Sequence, residues 1–255
     1  MTSINVLRYA AIAAFFLLAG CSHRVPNATV EVIDTSLSIT PRAEKAALNA
    51  VQNQIGRMQR GDQLILIPIT GDAANDAGGS VLRLTAPTER ESYDTDLRRF
   101  QSEAQKQFVA WAASLDPHQT RTDILGTLDA ARLELAAIPK GSERRLVIVS
   151  DFLEDESSLR FVSAPQLAIA VRARKLALML RSERQFTPAD VPICLGRLES
   201  SDFAPLSSPR KEAVQAFWTA YLTDKDRQPE LHFDGTGMLT GTAGCFSGSN
   251  HATSN

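Results

Sequence analysis

Apolar residues along this chain recur at two alternating spacings. Short runs of β-branched and aliphatic residues predict strands, because such side chains pack well on a pleated sheet. The predicted strands are Thr29–Ile33, Leu64–Ile69, Val81–Leu84, Arg145–Ser150 and Val191–Leu195. Apolar residues three or four positions apart predict helices. The predicted helices run from Pro41 to Met58, Leu97 to Leu115 and Asp123 to Ile138, and over roughly residues 166–183 and 210–223.

Strands that alternate with helices favour an α/β fold in three layers, in which helices cover both faces of a doubly wound, mainly parallel sheet. The continuous apolar run Leu64–Ile69 is typical of a central strand. Val81–Leu84 keeps only part of a strand's alternation and is predicted to be an antiparallel edge strand. On the last helix Phe217, Trp218 and Tyr221 share one side, which predicts core positions.

The first 20 residues have the pattern of a signal peptide, with one charge at Arg8 and then an unbroken apolar stretch from Ala10 to Leu18. That stretch is shorter than the about 20 residues that a transmembrane helix needs. Leu18-Ala19-Gly20-Cys21 resembles the lipobox of bacterial lipoproteins, which implies cleavage before Cys21 and acylation of its thiol. An ordinary cleaved signal peptide with an incidental cysteine is the alternative. Ser22 resembles the outer-membrane sorting pattern, so the expected location is the cell envelope, lipid-anchored and facing the periplasm.

The remaining chain divides into a polar tether at residues 21–28, an α/β domain at 29–223 and a glycine-rich, flexible tail at 224–255. Without residues 1–20 it has 26 basic and 29 acidic residues, a net charge of −3. Such a balance does not indicate a nucleic-acid partner. Acylation of Cys21 would leave Cys194 and Cys245, which can pair in an oxidising compartment, although their spacing alone does not show it.

Polar residues gather where the predicted strands end. Asp34, Ser36 and Ser38 follow the first strand, Thr122 precedes a helix, and Asp151 follows a buried strand. In doubly wound folds ligands bind outside the carboxyl ends of the strands. Hydroxyl and carboxylate oxygens are ligands that Mg²⁺ prefers.

These five residues resemble the metal-ion-dependent adhesion site of the von Willebrand factor A (vWA) domain family, and the resemblance extends over residues 29–223. It implies that Ser36, Ser38 and Thr122 offer hydroxyl oxygens to Mg²⁺, Mn²⁺ or Ca²⁺. It also implies that Asp34 and Asp151 act directly or through water, and that a Glu or Asp of a partner protein completes the coordination.

The sequence departs from the family in the loop that follows Asp151. The family commonly has glycine after this aspartate, but here Phe152 follows. Glu154, Asp155 and Glu156 come next, and we expect them to form a solvated charge run, because exposed charges seldom do more.

The expected function is binding to a protein partner, for adhesion or for assembly of an envelope complex, and not catalysis. A metal-dependent hydrolase with Asp34 as nucleophile and Asp151 as metal ligand is the enzymatic alternative. Against it, the chain has no P-loop, no G-x-S-x-G elbow and no HExxH motif. A second alternative is a degenerate A domain without metal, in which Asp34 and the two serines only cap a turn. A periplasmic small-molecule receptor ranks last, because such receptors usually have two lobes.

Overall fold

The computed structural model describes residues 24–73, 80–89, 95–116, 118–186 and 191–223. The predicted signal peptide, Cys21, Cys245 and the predicted tail lie outside these ranges. The strands are β1 (Asn27–Asp34), β2 (Gln63–Ile69), β3 (Leu82–Thr85), β4 (Glu143–Ser150), β5 (Asp155–Glu156), β6 (Leu159–Arg160) and β7 (Ile193–Arg197). The α-helices are α1 (Pro41–Arg57), α2 (Thr95–Ser114), α3 (Ile124–Ala137), α4 (Ala170–Glu183) and α5 (Ser208–Leu222).

Five of the strands form one mixed sheet in the order β3-β2-β1-β4-β7. β1 is central and pairs in parallel with β2 and β4, so that Val32 lies between Ile67 and Ile148. β7 extends the parallel part beside β4, whereas β3 pairs antiparallel with β2 at the other edge. The predicted α/β class and the antiparallel edge strand are therefore confirmed.

Helices cover both faces of the sheet because the side chains of each strand alternate between the faces. On one face, Val30 and Val32 of β1 pack in a large core with residues of α3, α4 and α5. On the other face, Ile33 packs with residues of α1 and α2, and a smaller cluster joins α1 to β4 and β7. As predicted, Phe217, Trp218 and Tyr221 are buried in the core.

Capping residues set the starts of two helices that border the polar edge. Thr40 accepts a hydrogen bond from the Ala43 N–H at 3.3 Å, and Pro41 occupies the first turn of α1. Asp123 caps α3 by accepting from the Gly126 N–H at 2.7 Å. Each cap satisfies a backbone N–H that the helix itself leaves unpaired. The polar residues that follow β1 and precede α3 are thus held against rigid helix ends.

The segment after β4 differs from the prediction. The sequence indicated a solvated charge run there, but β5 and β6 form a two-stranded antiparallel hairpin. The helix predicted to begin near residue 166 starts as a 3₁₀ turn at Pro165–Ala168 and becomes α-helical at Ala170. Among the described helices, none is both long and apolar enough to cross a lipid bilayer.

Candidate metal-binding edge of the sheet

The loop after β1 is built around the carboxylate of Asp34. This side chain is fully buried, and its Oδ1 accepts from the backbone N–H of Ser36 at 3.0 Å. The hydroxyl oxygens of Ser36 and Ser38 lie 3.0 Å apart and share a hydrogen bond. The chain therefore turns tightly after the strand and brings both hydroxyls to one side of the loop.

The loop after β4 supplies a second buried carboxylate. Asp151 Oδ1 accepts from the Leu153 N–H at 2.9 Å, and its Oδ2 accepts from the Ser38 hydroxyl at 3.3 Å. The backbone N–H of Asp151 also donates to Asp34. Two loops more than 100 residues apart in sequence are thus joined through direct contacts between predicted site residues.

Thr122 also contacts the loop after β4, but it does so through Leu153 and Asp155 and not through Asp151. Its hydroxyl donates to the Leu153 carbonyl at 3.1 Å, and its backbone pairs with Asp155. Gln119, three residues earlier, accepts from the Leu37 N–H at 2.9 Å through its carbonyl. Among the described residues, Thr122 makes no direct hydrogen bond to Ser36, Ser38 or Asp151, so the structure joins it to the other predicted ligands only through the loop after β4.

Two serines that the sequence analysis did not assign also shape this edge. The Ser150 hydroxyl donates to Asp34 Oδ2 at 2.6 Å and accepts from the Phe152 N–H at 2.9 Å. Ser200, in the segment after β7, hydrogen-bonds to the side chain of Asp151. Ser150 is a polar residue at the end of an apolar strand, which was a usable signal. Nothing in the local pattern of Ser200 indicates its partner.

The two carboxyl groups raise each other's cost of ionisation. Burial, and then the negative charge of Asp34, raises the pKa of Asp151 to about 7. Burial likewise raises the pKa of Asp34, although hydrogen bonds from Ser150, Ser36 and Asp151 partly offset it. Among the residues that the structure describes, no lysine or arginine forms an ion pair with either carboxyl group.

This geometry suits a small divalent cation. A Mg²⁺ ion with octahedral bonds of about 2.1 Å places neighbouring ligand oxygens about 3.0 Å apart. The Ser36–Ser38 separation of 3.0 Å and the Ser38–Asp151 separation of 3.3 Å are close to that edge length. Within the described residues, no three His, Cys, Asp or Glu side chains are grouped to hold a metal. An ion at this edge would therefore depend on the serine hydroxyls beside the two carboxylates.

Phe152 adopts a backbone conformation that normally favours glycine. Its φ is +64°, and its ring is buried against Trp218 at a centroid distance of 6.0 Å. The Trp218 indole N–H donates to the Phe152 carbonyl at 2.8 Å. A non-glycine residue at positive φ is strained and persists only where its surroundings hold it. Here α5 holds the turn that follows Asp151.

The expectation of a solvated charge run is wrong for Glu154. This side chain is buried, and its Oε2 accepts from the Leu125 N–H at 3.1 Å, at the start of α3. Burial, and then the nearby Asp123, raises its pKa well above the ordinary value. Its other carboxyl oxygen has no hydrogen-bond partner within the described part of the chain. Asp155 and Glu156 are half-buried in the hairpin, where Asp155 pairs with Arg160 at 2.5 Å.

The remaining predicted residues lie away from this edge or outside the described chain. Cys194 is buried in β7 and is disulfide-bonded. Its predicted partner Cys245 is outside the described residues, so that pairing stays a prediction, as does acylation of Cys21. His118 is exposed.

No protein-family model matches the chain, and no curated protein matches it by sequence. Among solved structures it is similar to the pilus adhesin SpaC from Lactobacillus rhamnosus GG, with 14% identity and a TM-score of 0.51, over 86% of this chain and 29% of that chain. It is also similar to the manganese-loaded TRAP protein of Plasmodium vivax, with 10% identity and a TM-score of 0.43, over 87% and 73% of the two chains. Human COPII-coat protein Sec24c matches with 11% identity and a TM-score of 0.42, over 76% and 28%.

The likeness to SpaC concerns the fold alone, because the identity is low and the chain spans 29% of SpaC. Together with the mixed five-stranded sheet and its five helices, it makes the fold of this protein vWA-like.

Proposed function

We propose that the protein is a membrane-anchored vWA-like domain that holds a divalent cation at the carboxyl edge of its sheet and binds a partner protein through it. The observation that carries this proposal is the buried pair Asp34 and Asp151, which the hydroxyls of Ser36 and Ser38 join and which forms no ion pair with a described lysine or arginine. A cation of charge +2 would balance the pair and relieve their mutual repulsion.

The ligand set favours recognition over catalysis. Ser36, Ser38 and Thr122 would offer neutral oxygens, and Asp34 is already saturated by N–H and O–H donors, so it would act through water. A Mg²⁺ ion with few direct carboxylates retains water molecules and an unsatisfied demand for negative charge. A Glu or Asp of a partner protein would replace one of those waters and complete the shell.

The proposal also includes a location in the cell envelope and a function without catalysis. Acylation of Cys21 would anchor the domain to the cell envelope, facing the periplasm, with the outer membrane favoured. In that setting a cation-dependent contact suits adhesion or assembly of an envelope complex. A metal-dependent hydrolase would instead cleave a substrate when Mg²⁺ is present. A phosphatase assay, which measures phosphate released from a phosphate ester, therefore separates the two functions.

Calorimetric titration with Mg²⁺ and Mn²⁺ tests the site directly. We expect one ion to bind per chain, and the Ser36→Ala and Asp34→Asn variants to bind it at least about tenfold more weakly, as is usual when groups at a metal site are removed. Ser114→Ala and Asp116→Asn are matched controls, because Ser114 ends α2, Asp116 follows it, and among the described residues both hydrogen-bond only to near neighbours in sequence. No binding by the parent would leave a vWA-like scaffold without metal, and equal binding by all four variants would mean that the ion binds elsewhere on the protein.

The affinity for the ion should also depend on pH. Since the pKa of Asp151 in the metal-free protein is about 7, protons compete with the ion below that pH. We expect the apparent affinity for Mg²⁺ to rise by about tenfold per pH unit between pH 5 and 7 and to level off above it. Titrations at four pH values measure this slope. A flat profile would mean that the ion does not contact Asp151.

Partner binding is tested with envelope extract passed over the immobilised chain. Retention of a protein in Mg²⁺, its release by EDTA and its loss with Ser36→Ala are the expected results. A protein retained equally in EDTA would bind elsewhere on the surface.

A further inference from the structure

The outer surface of α4 is unusually apolar for an exposed helix. Only Ala173 and Ala177 of this helix are fully buried. Val171, Leu178 and Met179 expose 71%, 55% and 49% of their surface, and they are among the most exposed large apolar residues described. Leu176 and Leu180 are partly buried and pack with these alanines against the body of the protein. Val171, Leu178 and Met179 lie on the other side of the helix and point away from it.

The same surface is strongly basic. Arg172, Arg174 and Lys175 are exposed between these apolar residues. In the described part of the chain they form no ion pair. Glu183, at the end of the helix, is the one acidic residue of α4, and Glu212 is the one acidic residue of the adjacent α5. The chain as a whole has a net charge of −2, so this surface differs in sign from the rest.

Helical periodicity brings the two features together. Successive residues of a helix are turned by about 100° around its axis. One arc of about 100° on α4 therefore contains Val171, Arg174, Lys175 and Leu178. Two further residues, Arg172 and Met179, border this arc on one side. We call these six residues the α4 outer face. Lysine and arginine can extend their charged ends beyond apolar neighbours, so both kinds of side chain can engage one layered surface.

We propose that the α4 outer face lies on an anionic lipid bilayer. The bilayer interface offers phosphate groups to the three cations and, just beneath them, apolar volume to Val171, Leu178 and Met179. The face belongs to one convex helix, which matches a deformable planar surface better than a rigid protein groove. The proposal does not depend on the metal site, and an acyl anchor at Cys21 would only increase the local concentration of lipid.

Tryptophan quenching by brominated lipid tests the contact. Leu178→Trp, in the full-length chain, places an exposed indole on the α4 outer face, whereas Trp111 and Trp218 are buried and contribute a constant background. We expect quenching in vesicles of brominated phosphatidylcholine that contain phosphatidylglycerol, and little in vesicles of brominated phosphatidylcholine alone. The matched control is Val109→Trp, since Val109 is 53% exposed on α2, on the opposite face of the sheet.

Charge reversal provides a second measurement. The test variant carries three substitutions together, Arg172→Glu, Arg174→Glu and Lys175→Glu. We expect its affinity for the phosphatidylglycerol vesicles, measured by sedimentation, to fall by at least about a hundredfold, because each basic residue near an anionic surface contributes to binding. Reversal of Arg42, Lys45 and Arg57 on α1 should have little effect. Circular dichroism of each variant shows whether it is folded.

Four results would overturn the proposal. Equal quenching of the Leu178→Trp and Val109→Trp variants, or quenching that does not need phosphatidylglycerol, would mean that α4 has no specific contact with anionic lipid. The tryptophan emission of the Leu178→Trp variant could shift when polyglutamate is added but not when vesicles are added. That result would mean that the α4 outer face binds an acidic protein. A shift that depends only on protein concentration would assign this face to a second copy of the chain.

Discussion

Replacing Glu31 by methionine is expected to stabilise the protein by about 4 kcal/mol at pH 8 and by about 1 kcal/mol at pH 5. Glu31 lies in the middle of β1, between Leu66 of β2 and Val147 of β4, and its side chain is buried. One of its carboxyl oxygens has no hydrogen-bond partner among the described residues. Burial raises the pKa of Glu31 from 4.5 to about 8.

The direction of the pH effect follows from the raised pKa. Between pH 4.5 and 8 the folded state keeps a proton on Glu31 that the unfolded state releases, so the free energy of unfolding decreases as the pH rises. Methionine has a similar volume and does not titrate, so the variant lacks this loss. The difference between parent and variant isolates Glu31 from the other buried acids, which both proteins retain.

Chemical denaturation of parent and variant at several pH values measures the effect. Glu31→Gln should flatten the pH dependence but give less stabilisation, because the amide remains a buried polar group. Glu103→Met is the surface control, since Glu103 is exposed on α2 and should leave the profile unchanged. Parallel profiles for the parent and Glu31→Met would show that Glu31 does not titrate in this range.

The parts of the fold that the sequence predicted are those with a strong local period. The apolar strand Leu64–Ile69 and the Thr40-Pro41 helix start gave nearly correct boundaries for β2 and α1. The sequence pattern does not indicate that Glu31 is buried, because one acidic residue in a β-branched run is typical of a half-exposed strand. Its burial depends on the helices that pack on this face of the sheet, and no local pattern encodes that packing.

The site was predictable to a similar degree. Asp34, Ser36 and Ser38 lie within five residues, so the turn they form could be inferred from their types and spacing. That Ser38 contacts Asp151 depends on the parallel pairing of β1 with β4, which the alternation of strands and helices indicated. The burial of Glu154 could not be inferred, because the two-residue strands of the hairpin are too short to produce a recognisable period.

Trp218 is the residue through which we expect the core to influence the proposed metal site. It is fully buried and contacts the rings of Phe152, Phe161, Phe217 and Tyr221. Trp218→Ala should lower the free energy of unfolding by about 3–5 kcal/mol, the usual loss for a large aromatic residue in a core. This loss is measured by denaturation at neutral pH without added metal.

A milder change separates packing from control of the loop. Trp218→Phe keeps most of the apolar volume but removes the N–H that donates to the Phe152 carbonyl, which should cost about 1–3 kcal/mol. Because that bond holds the positive-φ turn next to Asp151, we also expect the affinity for Mg²⁺ to fall by about tenfold. Trp111→Phe is a matched control, since the Trp111 N–H donates to the Ser80 carbonyl on the other face of the sheet.

The comparison of the two tryptophan variants decides between two roles for α5. If both variants lose stability but only Trp218→Phe loses affinity for Mg²⁺, the indole positions the loop that carries Asp151. If the affinity for Mg²⁺ changes in neither variant, the turn at Phe152 is held by the burial of its own ring and by the hydrogen bond from its N–H to the Ser150 hydroxyl. In that case α5 supports the fold without influencing the ion, and a partner that moved α5 would not change the site.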